Sequence, residues 1–280
     1  MTARFSIADL PGDPPRVEKR GDAAALAREA DALARLAGRP WVPALVGHAP
    51  GRLVTERAPG APRPLAALVP ADARRLGAVL RELHESRRAP AGGVWWWESP
   101  ATDLGAYRAG RIADAEAALR GTGHEGLALA AAAAAGTPPP DALDAEPFRM
   151  LHGDLVADNI VWSPSGPVLI DWEFGRLGDP AEDLAYLAEL NALPAAVAAS
   201  VLEGYGLPGM AERVESWRGL VAADAAGWYL AEGMDAEAAA MLARGASGRG
   251  SQHIDVLGHG EKPRGDFSYL CPKPPPPGQP

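Results

Sequence analysis

A stretch past the middle of the chain, LHGDLVADNIVWSPSGPVLIDWEFG, combines polar side chains with apolar runs of the kind that proteins bury. It predicts a turn followed by a hairpin. Its segments NIVW and VLIDW are apolar and rich in β-branched residues, and the turn-forming SPSGP separates them. A hairpin brings its two ends together. Asn159, at the start of one strand, is therefore expected near Asp171, at the end of the other, with Asp154 on the preceding turn.

These three side chains have the chemistry that phosphoryl transfer requires. An asparagine oxygen and an aspartate carboxylate are hard ligands suited to Mg²⁺, which binds few protein groups and retains substrate phosphates as partners. A further carboxylate can accept a hydroxyl proton. Any one of these residues alone is better explained as a turn residue that bonds the local backbone. The joint pattern of His-Gly-Asp, Asn, hairpin and Ile-Asp-Trp-Glu favours a site.

Composition limits the remaining function classes. The length of 280 residues suits one large domain or two coupled lobes. With 47% hydrophobic and 22% charged residues, the composition is typical of a soluble globular protein. A net charge of −9 argues against electrostatic binding of nucleic acid and suits a cationic ligand. The single cysteine, Cys271, indicates a reducing compartment. Because no signal peptide or membrane-length apolar run is evident, we predict a cytoplasmic protein without a membrane partner.

The pattern of elements predicts an α+β chain in two lobes and a tail. Residues 1–58 read as strand, strand, helix, strand, strand and form a small β-rich lobe. Residues 59–245 read mostly as helices around the hairpin and form the larger lobe. Residues 246–280 are rich in glycine and proline and are predicted to be disordered. The pattern leaves the oligomeric state open.

Three segments resemble the aminoglycoside phosphotransferase and choline kinase family of small-molecule kinases. HGDLVADN looks like the family's catalytic loop, IDWE like its metal-binding segment, and GRLGDPAEDLAYL like its following turn and helix. The resemblance covers roughly Val17 to Tyr205 and implies a two-lobed protein-kinase-like fold. It implies that Asp154 is the catalytic base, and that Asn159 and Asp171 hold Mg²⁺.

The resemblance extends to nucleotide-binding residues of the small lobe. Lys19 in VEKR fits the strand lysine that binds the nucleotide phosphates, and Glu29 fits its ion-pair partner on the following helix. A solvated helix charge is the alternative for Glu29. The backbone of Glu56, Arg57 and Ala58 resembles the linker that meets the adenine.

Several further residues have a structural interpretation. We expect His152 to support the loop geometry and His84 to be structural. Asp179 and Asp183 are expected to cap the helix that begins near GDPAED and to interact with its dipole.

Two groups of residues bear on the acceptor. Acidic residues after the metal segment could favour a cation or be ordinary surface charge: Glu173, Glu182 and Glu189. The adjacent tryptophans Trp95–Trp97 could cage an ammonium, although packing is the commoner explanation.

The implied function is transfer of the γ-phosphate of ATP or GTP to a hydroxyl of a small molecule, such as an aminoglycoside, choline, a sugar or an amino acid. The alternatives are a kinase-like binding protein without turnover and a helical domain with an accidental motif. Only eighteen residues precede Lys19. We therefore expect either a shortened small lobe or a true start upstream, with weak nucleotide binding and a water-accessible site.

Overall fold

A computed structural model describes residues 5–86, 104–135 and 148–246. It has a small lobe built on one antiparallel sheet and a larger lobe built mainly from helices, as the α+β prediction requires. The predicted tail of residues 246–280 lies outside the described residues except for Ala246, which ends a helix, and the three tryptophans Trp95–Trp97 also lie outside them.

The small lobe consists of four strands and one helix in the predicted order: β1 (Phe5–Leu10), β2 (Arg16–Gly21), α1 (Ala23–Arg35), β3 (Leu45–Ala49) and β4 (Arg52–Glu56). The antiparallel sheet has the strand order β1-β2-β4-β3. Strand β2 is therefore interior, flanked on one side by β1 and on the other by β4. Within the described chain, β1 is the single strand that precedes β2.

Helix α1 is defined by its cap and its apolar face. The Asp22 carboxylate accepts hydrogen bonds of 2.9 Å from the backbone N–H groups of Ala24 and Ala25. This satisfies donors that the first helical turn leaves without partners. Leu26 and Leu33 are buried on the face toward the sheet, so burial of the apolar stripe orients the helix across the lobe.

The large lobe contains the remaining elements: β5 (Ala61–Pro62), α2 (Pro70–Glu85), α3 (Leu104–Ala118), α4 (Leu127–Ala135), β6 (Arg149–Leu151), β7 (Ile160–Ser163), β8 (Gly166–Leu169), β9 (Arg176–Gly178), α5 (Pro180–Leu190), α6 (Ala195–Tyr205), α7 (Met210–Ala231) and α8 (Asp235–Ala246). Strands β5, β7 and β8 form one small sheet, and β6 pairs with β9. The predicted hairpin is confirmed as β7 and β8, with Ile160 opposite Leu169.

Helices α2 and α6 pack with almost no side chain between them. A Cβ atom at Gly77 would lie 2.0 Å from the carbonyl oxygen of Val201, and one at Gly204 would lie 2.0 Å from that of Arg74. Glycine at both positions therefore permits backbone contact that any larger residue would prevent. This crossing fixes the end of α2 relative to α6.

Trp41, which follows α1, joins the lobes. Its carbonyl oxygen accepts a 2.8 Å hydrogen bond from the Leu169 N–H at the end of β8. Its indole Nε1–H donates to Glu82 on α2 at 2.8 Å. The chain itself enters the large lobe by Ala61, where β5 pairs with β7; the proposed boundary after residue 58 remains a prediction. No helix in the described ranges is long and apolar enough to span a membrane.

Candidate active site

The catalytic-loop segment follows directly on β6 and is fixed by the ring of His152. The residue is fully buried. Its Nε2 donates to the carbonyl oxygen of Ile170 at 3.0 Å, and its Nδ1 accepts from the Asp154 N–H at 3.3 Å. Burial lowers the pKa of His152, consistent with a neutral ring that uses both nitrogens. His152 therefore supports the loop, as expected.

Gly153 is required by the space beside it. Its φ is +82°, and a Cβ atom would lie 2.2 Å from the carbonyl oxygen of Phe174. The loop thus packs directly against the segment that follows Asp171, at a distance that only glycine permits.

Asp154 is buried, and its carboxylate is only half satisfied. Oδ2 accepts a 2.8 Å hydrogen bond from Asn159 Nδ2, whereas the buried Oδ1 has no hydrogen-bond partner within the described parts of the chain. Burial, together with the negative charges of Asp171 and Glu173, raises the pKa of Asp154 well above its ordinary value. Such a carboxylate has an increased affinity for a proton, as a general base requires.

Asn159 and Asp171 are brought together as the hairpin predicts. The Ile170 N–H donates to the Asn159 carbonyl oxygen at 3.0 Å across the end of the hairpin. Asn159 Nδ2 also bonds the Asp154 carbonyl oxygen at 3.0 Å, so its amide oxygen remains for another partner. Asp171 has a φ of +65°. Non-glycine residues adopt this conformation rarely, and it concentrates at functional sites.

These two residues fit Mg²⁺ when phosphate oxygens complete the coordination. Among the described residues there is no cluster of three or more acidic, histidine or cysteine side chains that could hold a metal unaided. Mg²⁺ in nucleotide sites needs one or two protein ligands, with phosphates and water as the others. The Asn159 amide oxygen and the Asp171 carboxylate meet that requirement.

Lys19 connects the two lobes. Its Nζ lies 3.0 Å from Glu29 Oε2 and 2.6 Å from Asp171 Oδ1. The ring of Phe5 covers the ammonium at 4.2 Å from its centroid. Burial acts to lower the pKa of Lys19, but the Glu29 and Asp171 carboxylates outweigh it and raise the pKa. Lys19 is charged, and a solvated helix charge at Glu29 is ruled out because that residue is 5% exposed.

The predicted adenine linker has few free donors. The Glu56 N–H bonds the Ala44 carbonyl oxygen at 2.9 Å, and the Arg57 N–H bonds the Pro15 carbonyl oxygen at 2.8 Å. Contact of this linker with adenine remains a prediction.

Asp183 has a function that the sequence did not reveal. It lies in the first turn of α5, but its carboxylate faces the catalytic loop. It accepts hydrogen bonds from the His152 N–H at 2.7 Å, from the Gly153 N–H at 2.9 Å and from His84 Nε2 at 3.2 Å. The expected capping role is therefore wrong for Asp183, because these bonds consume its carboxylate oxygens.

Asp179 is the actual cap of α5, as predicted. Its side chain accepts from the Ala181 N–H at 3.0 Å, and Arg213 and Trp217 bind the same carboxylate. His84 is structural, as expected. Its Nδ1 lies 3.0 Å from the Tyr205 hydroxyl at the end of α6, so one line of contacts runs from α6 through His84 to Asp183.

The three acidic residues considered as surface charge are all buried: Glu173, Glu182 and Glu189 are 4%, 1% and 1% exposed. The surface interpretation is therefore wrong. Glu182 binds Arg111 at 2.8 Å and Arg176 at 2.9 Å. Glu189 is paired with Arg218. Because arginines inside the lobe neutralise Glu182 and Glu189, these two carboxylates are not left to attract a cationic acceptor.

Comparison with known proteins settles the family. The sequence model of the family described as "Phosphotransferase enzyme family" matches residues 15–220. This chain belongs to that phosphotransferase family. The viomycin phosphotransferase of Streptomyces vinaceus is 34% identical over 115 residues, which are 38% of this chain and 39% of that protein. The chain therefore matches well under half the length of this relative.

Solved structures establish the fold of this phosphotransferase. The macrolide 2′-phosphotransferase of Brachybacterium faecium superposes with a TM-score of 0.62 and 20% identity, covering 91% of each chain. A choline kinase from Streptococcus pneumoniae gives a TM-score of 0.61 and 16% identity, covering 89% of this chain and 90% of the other. At these identities the likeness shows the shared protein-kinase-like fold, and thus confirms the predicted architecture.

Proposed function

We propose that this protein transfers the γ-phosphate of ATP or GTP to a hydroxyl group of a small molecule. The observation that carries the proposal is the buried Asp154 carboxylate. One of its oxygens has no partner in the described structure, and its raised pKa suits proton transfer. A buried, half-satisfied carboxylate is costly to the fold, so its presence favours a catalytic purpose.

The residues divide the chemistry among them. Asp154 Oδ1 accepts the hydroxyl proton as the acceptor oxygen attacks the γ-phosphorus, and the bond from that phosphorus to the β–γ bridging oxygen breaks to release the nucleoside diphosphate. Asn159 holds the other carboxylate oxygen of Asp154 at 2.8 Å. Lys19, charged and held by Glu29, binds the phosphates of the nucleotide. This positions the reactants and stabilises the charge of the transferred group, which supplies most of the catalysis in phosphoryl transfer.

Mg²⁺ would be held by the Asn159 amide oxygen and the Asp171 carboxylate. When bound, it would offset the negative charge of the nucleotide phosphates and of the transferred group. Lys19 Nζ contacts one oxygen of Asp171, Oδ1, so the ammonium and the metal would share that carboxylate or exchange places on it. The chain's own part is to present both oxygens on one hairpin end, fixed by the Ile170–Asn159 backbone bond.

The acceptor class is proposed from similarity and charge. Similarity to a viomycin phosphotransferase over part of the chain makes viomycin and other antibiotics the first compounds to test. The net charge of −9 suits a cationic acceptor. Choline and sugars follow, since a choline kinase shares the fold.

A binding protein without turnover is the second candidate. It is favoured by the linker, where the N–H groups of Glu56 and Arg57 are already bonded inside the small lobe. Fewer donors for a base imply weak nucleotide binding. The buried Lys19 charge fits nucleotide binding in either candidate, so turnover decides between them.

A phosphorylation screen distinguishes these functions. The wild-type protein is incubated with Mg²⁺ and γ-labelled ATP or GTP against viomycin, aminoglycosides, macrolides, choline and sugars. Asp154→Asn serves as the matched inactive control. Label transfer by the wild type and not by the variant supports the kinase. Nucleotide binding by calorimetry without transfer to any acceptor would support the binding protein instead.

A further inference from the structure

The segment that carries Asp171 is contacted from the small lobe by a second basic residue, Arg28. Arg28 lies on α1, next to Glu29, and its Nε donates a 3.1 Å hydrogen bond to the carbonyl oxygen of Glu173. Two consecutive residues of α1 thus contribute to the same segment: Glu29 through Lys19 and the Trp172 backbone, and Arg28 through the Glu173 carbonyl oxygen. The bond joins residues 145 positions apart in the chain.

The contact is specific in its chemistry. Arg28 is half-buried. Within the described part of the chain it forms no ion pair, and its single hydrogen bond goes to this carbonyl. Other arginines of the small lobe, such as Arg20 and Arg52, pair with the Glu18 carboxylate. An arginine that faces a backbone carbonyl across the lobe boundary serves geometry rather than charge neutralisation.

The segment it contacts needs support. Asp171 adopts a φ of +65°, and such a conformation persists only where its surroundings determine it. Within the segment, the Gly175 N–H bonds the Trp172 carbonyl oxygen at 3.0 Å, and Trp172 Nε1–H bonds the Leu169 carbonyl oxygen at 3.0 Å. These bonds are local to the large lobe. Glu29 contacts the Trp172 backbone from α1, and Arg28 adds a second restraint between α1 and the turn, at the Glu173 carbonyl oxygen.

We propose that Arg28 is a positioning residue that couples the orientation of α1 to the metal-binding conformation of Asp171. This inference rests on the proposed function, because it assigns Asp171 to Mg²⁺. Loss of the bond leaves Lys19 and Glu29 intact but allows the turn after Asp171 to relax. Its effect therefore falls on binding that depends on Mg²⁺, and little on phosphate contacts made by Lys19.

The test compares Arg28→Met with Arg35→Met, a matched control on the same helix whose arginine binds Asp31 at 2.8 Å. Binding of ADP is measured by calorimetry with saturating Mg²⁺ and again with EDTA. For Arg28→Met we expect about a tenfold loss with Mg²⁺ and less than about a twofold loss in EDTA, as for removal of a bond from a charged donor. Arg35→Met should match the wild type in both.

A second measurement needs no nucleotide. Amide hydrogen exchange of residues 171–175 is followed in the ligand-free proteins, and Arg28→Met should exchange faster in this segment while Arg35→Met does not. Equal losses of affinity with and without Mg²⁺ would overturn the proposal, as would unchanged exchange. If the wild type binds no nucleotide, the proposed function fails, and the exchange result alone decides whether Arg28 holds the segment.

Discussion

Asp154 and Asp183 are two buried aspartates of the same lobe whose pKa values are shifted in opposite directions. Asp183 receives two backbone N–H bonds and one from His84. Burial acts to raise its pKa, but the His84 bond and nearby positive charge outweigh this and hold the pKa below its ordinary value. Asp154 has one satisfied oxygen, and burial raises its pKa. Hydrogen-bond satisfaction, rather than burial, separates the carboxylate that holds the loop from the one available for chemistry.

The largest expected effect is on turnover at Asp154. Asp154→Asn removes the base and should lower kcat by about 10²–10⁴, the usual scale of positioned acid–base catalysis. Nucleotide affinity, measured by calorimetry, should be retained because Lys19 and Asp171 are untouched. Turnover equal to that of the wild type would show that Asp154 is not the base.

Asp183 should instead affect stability strongly. Asp183→Ala leaves the buried His152 and Gly153 N–H groups without a partner, and we expect the free energy of unfolding to fall by about 3–5 kcal/mol. Urea unfolding measures this. Asp158→Ala, an exposed aspartate on the same loop, is the control and should stay within about 0.5 kcal/mol of the wild type. If Asp183→Ala lowered the free energy of unfolding only slightly, the contrast drawn between Asp183 and Asp154 would be contradicted.

The two carboxylates should also differ in pH dependence. The raised pKa of Asp154 means that its contribution to stability is present below the ordinary value of 3.8 and is lost as pH rises through its folded pKa. Relative to Asp154→Asn, the wild type should therefore lose stability as pH rises.

The lowered pKa of Asp183 gives the opposite sign. Its contribution is present above 3.8 and is lost only as pH falls through its folded pKa. Between about pH 5 and 8 the stability difference for Asp183→Ala should stay constant. Unfolding curves across this range check both expectations, and parallel pH profiles for the two variants would contradict them.

The smallest expected effect concerns Tyr205, the last residue in the line of contacts that runs from Asp183 through His84. Tyr205→Phe removes the hydroxyl that lies 3.0 Å from His84 Nδ1 and should cost about 1 kcal/mol of unfolding free energy. Turnover should fall less than for Asp154→Asn, because Asp183 still holds the loop. Thermal unfolding and acceptor kinetics provide the measurements. A loss of turnover equal to that of Asp154→Asn would mean that the contact between Tyr205 and His84 itself sets the geometry of the catalytic loop.

The sequence predicted the parts of the site that depend on local order. Asn159 and Asp171 end the strands of one hairpin, so turn chemistry and apolar runs suffice to bring them together. Lys19 and Glu29 followed from family resemblance, and the structure places their charged atoms 3.0 Å apart. The small lobe's strand and helix order was likewise evident from periodicity.

The rest could not be predicted because its contacts are distant in sequence. The bonds of His84 join residues 99 and 121 positions apart, and neither leaves a local pattern. Glu182 and Glu189 resemble surface charges because their arginine partners belong to other elements. The sequence shows each donor and each acceptor separately, but it does not show which of them pair in the fold.

The Lys19–Asp171 contact has a consequence for how ligands enter. The Lys19 ammonium, proposed to bind phosphate, and the Asp171 carboxylate, proposed to bind metal, neutralise one another at a distance of 2.6 Å. A nucleotide arriving with Mg²⁺ brings both opposite charges and can exchange partners with the pair in one event. A free metal ion or a metal-free nucleotide offers only half of that exchange. The proposed roles of Lys19 and Asp171 therefore predict tighter binding of the Mg²⁺–nucleotide complex than of either component alone.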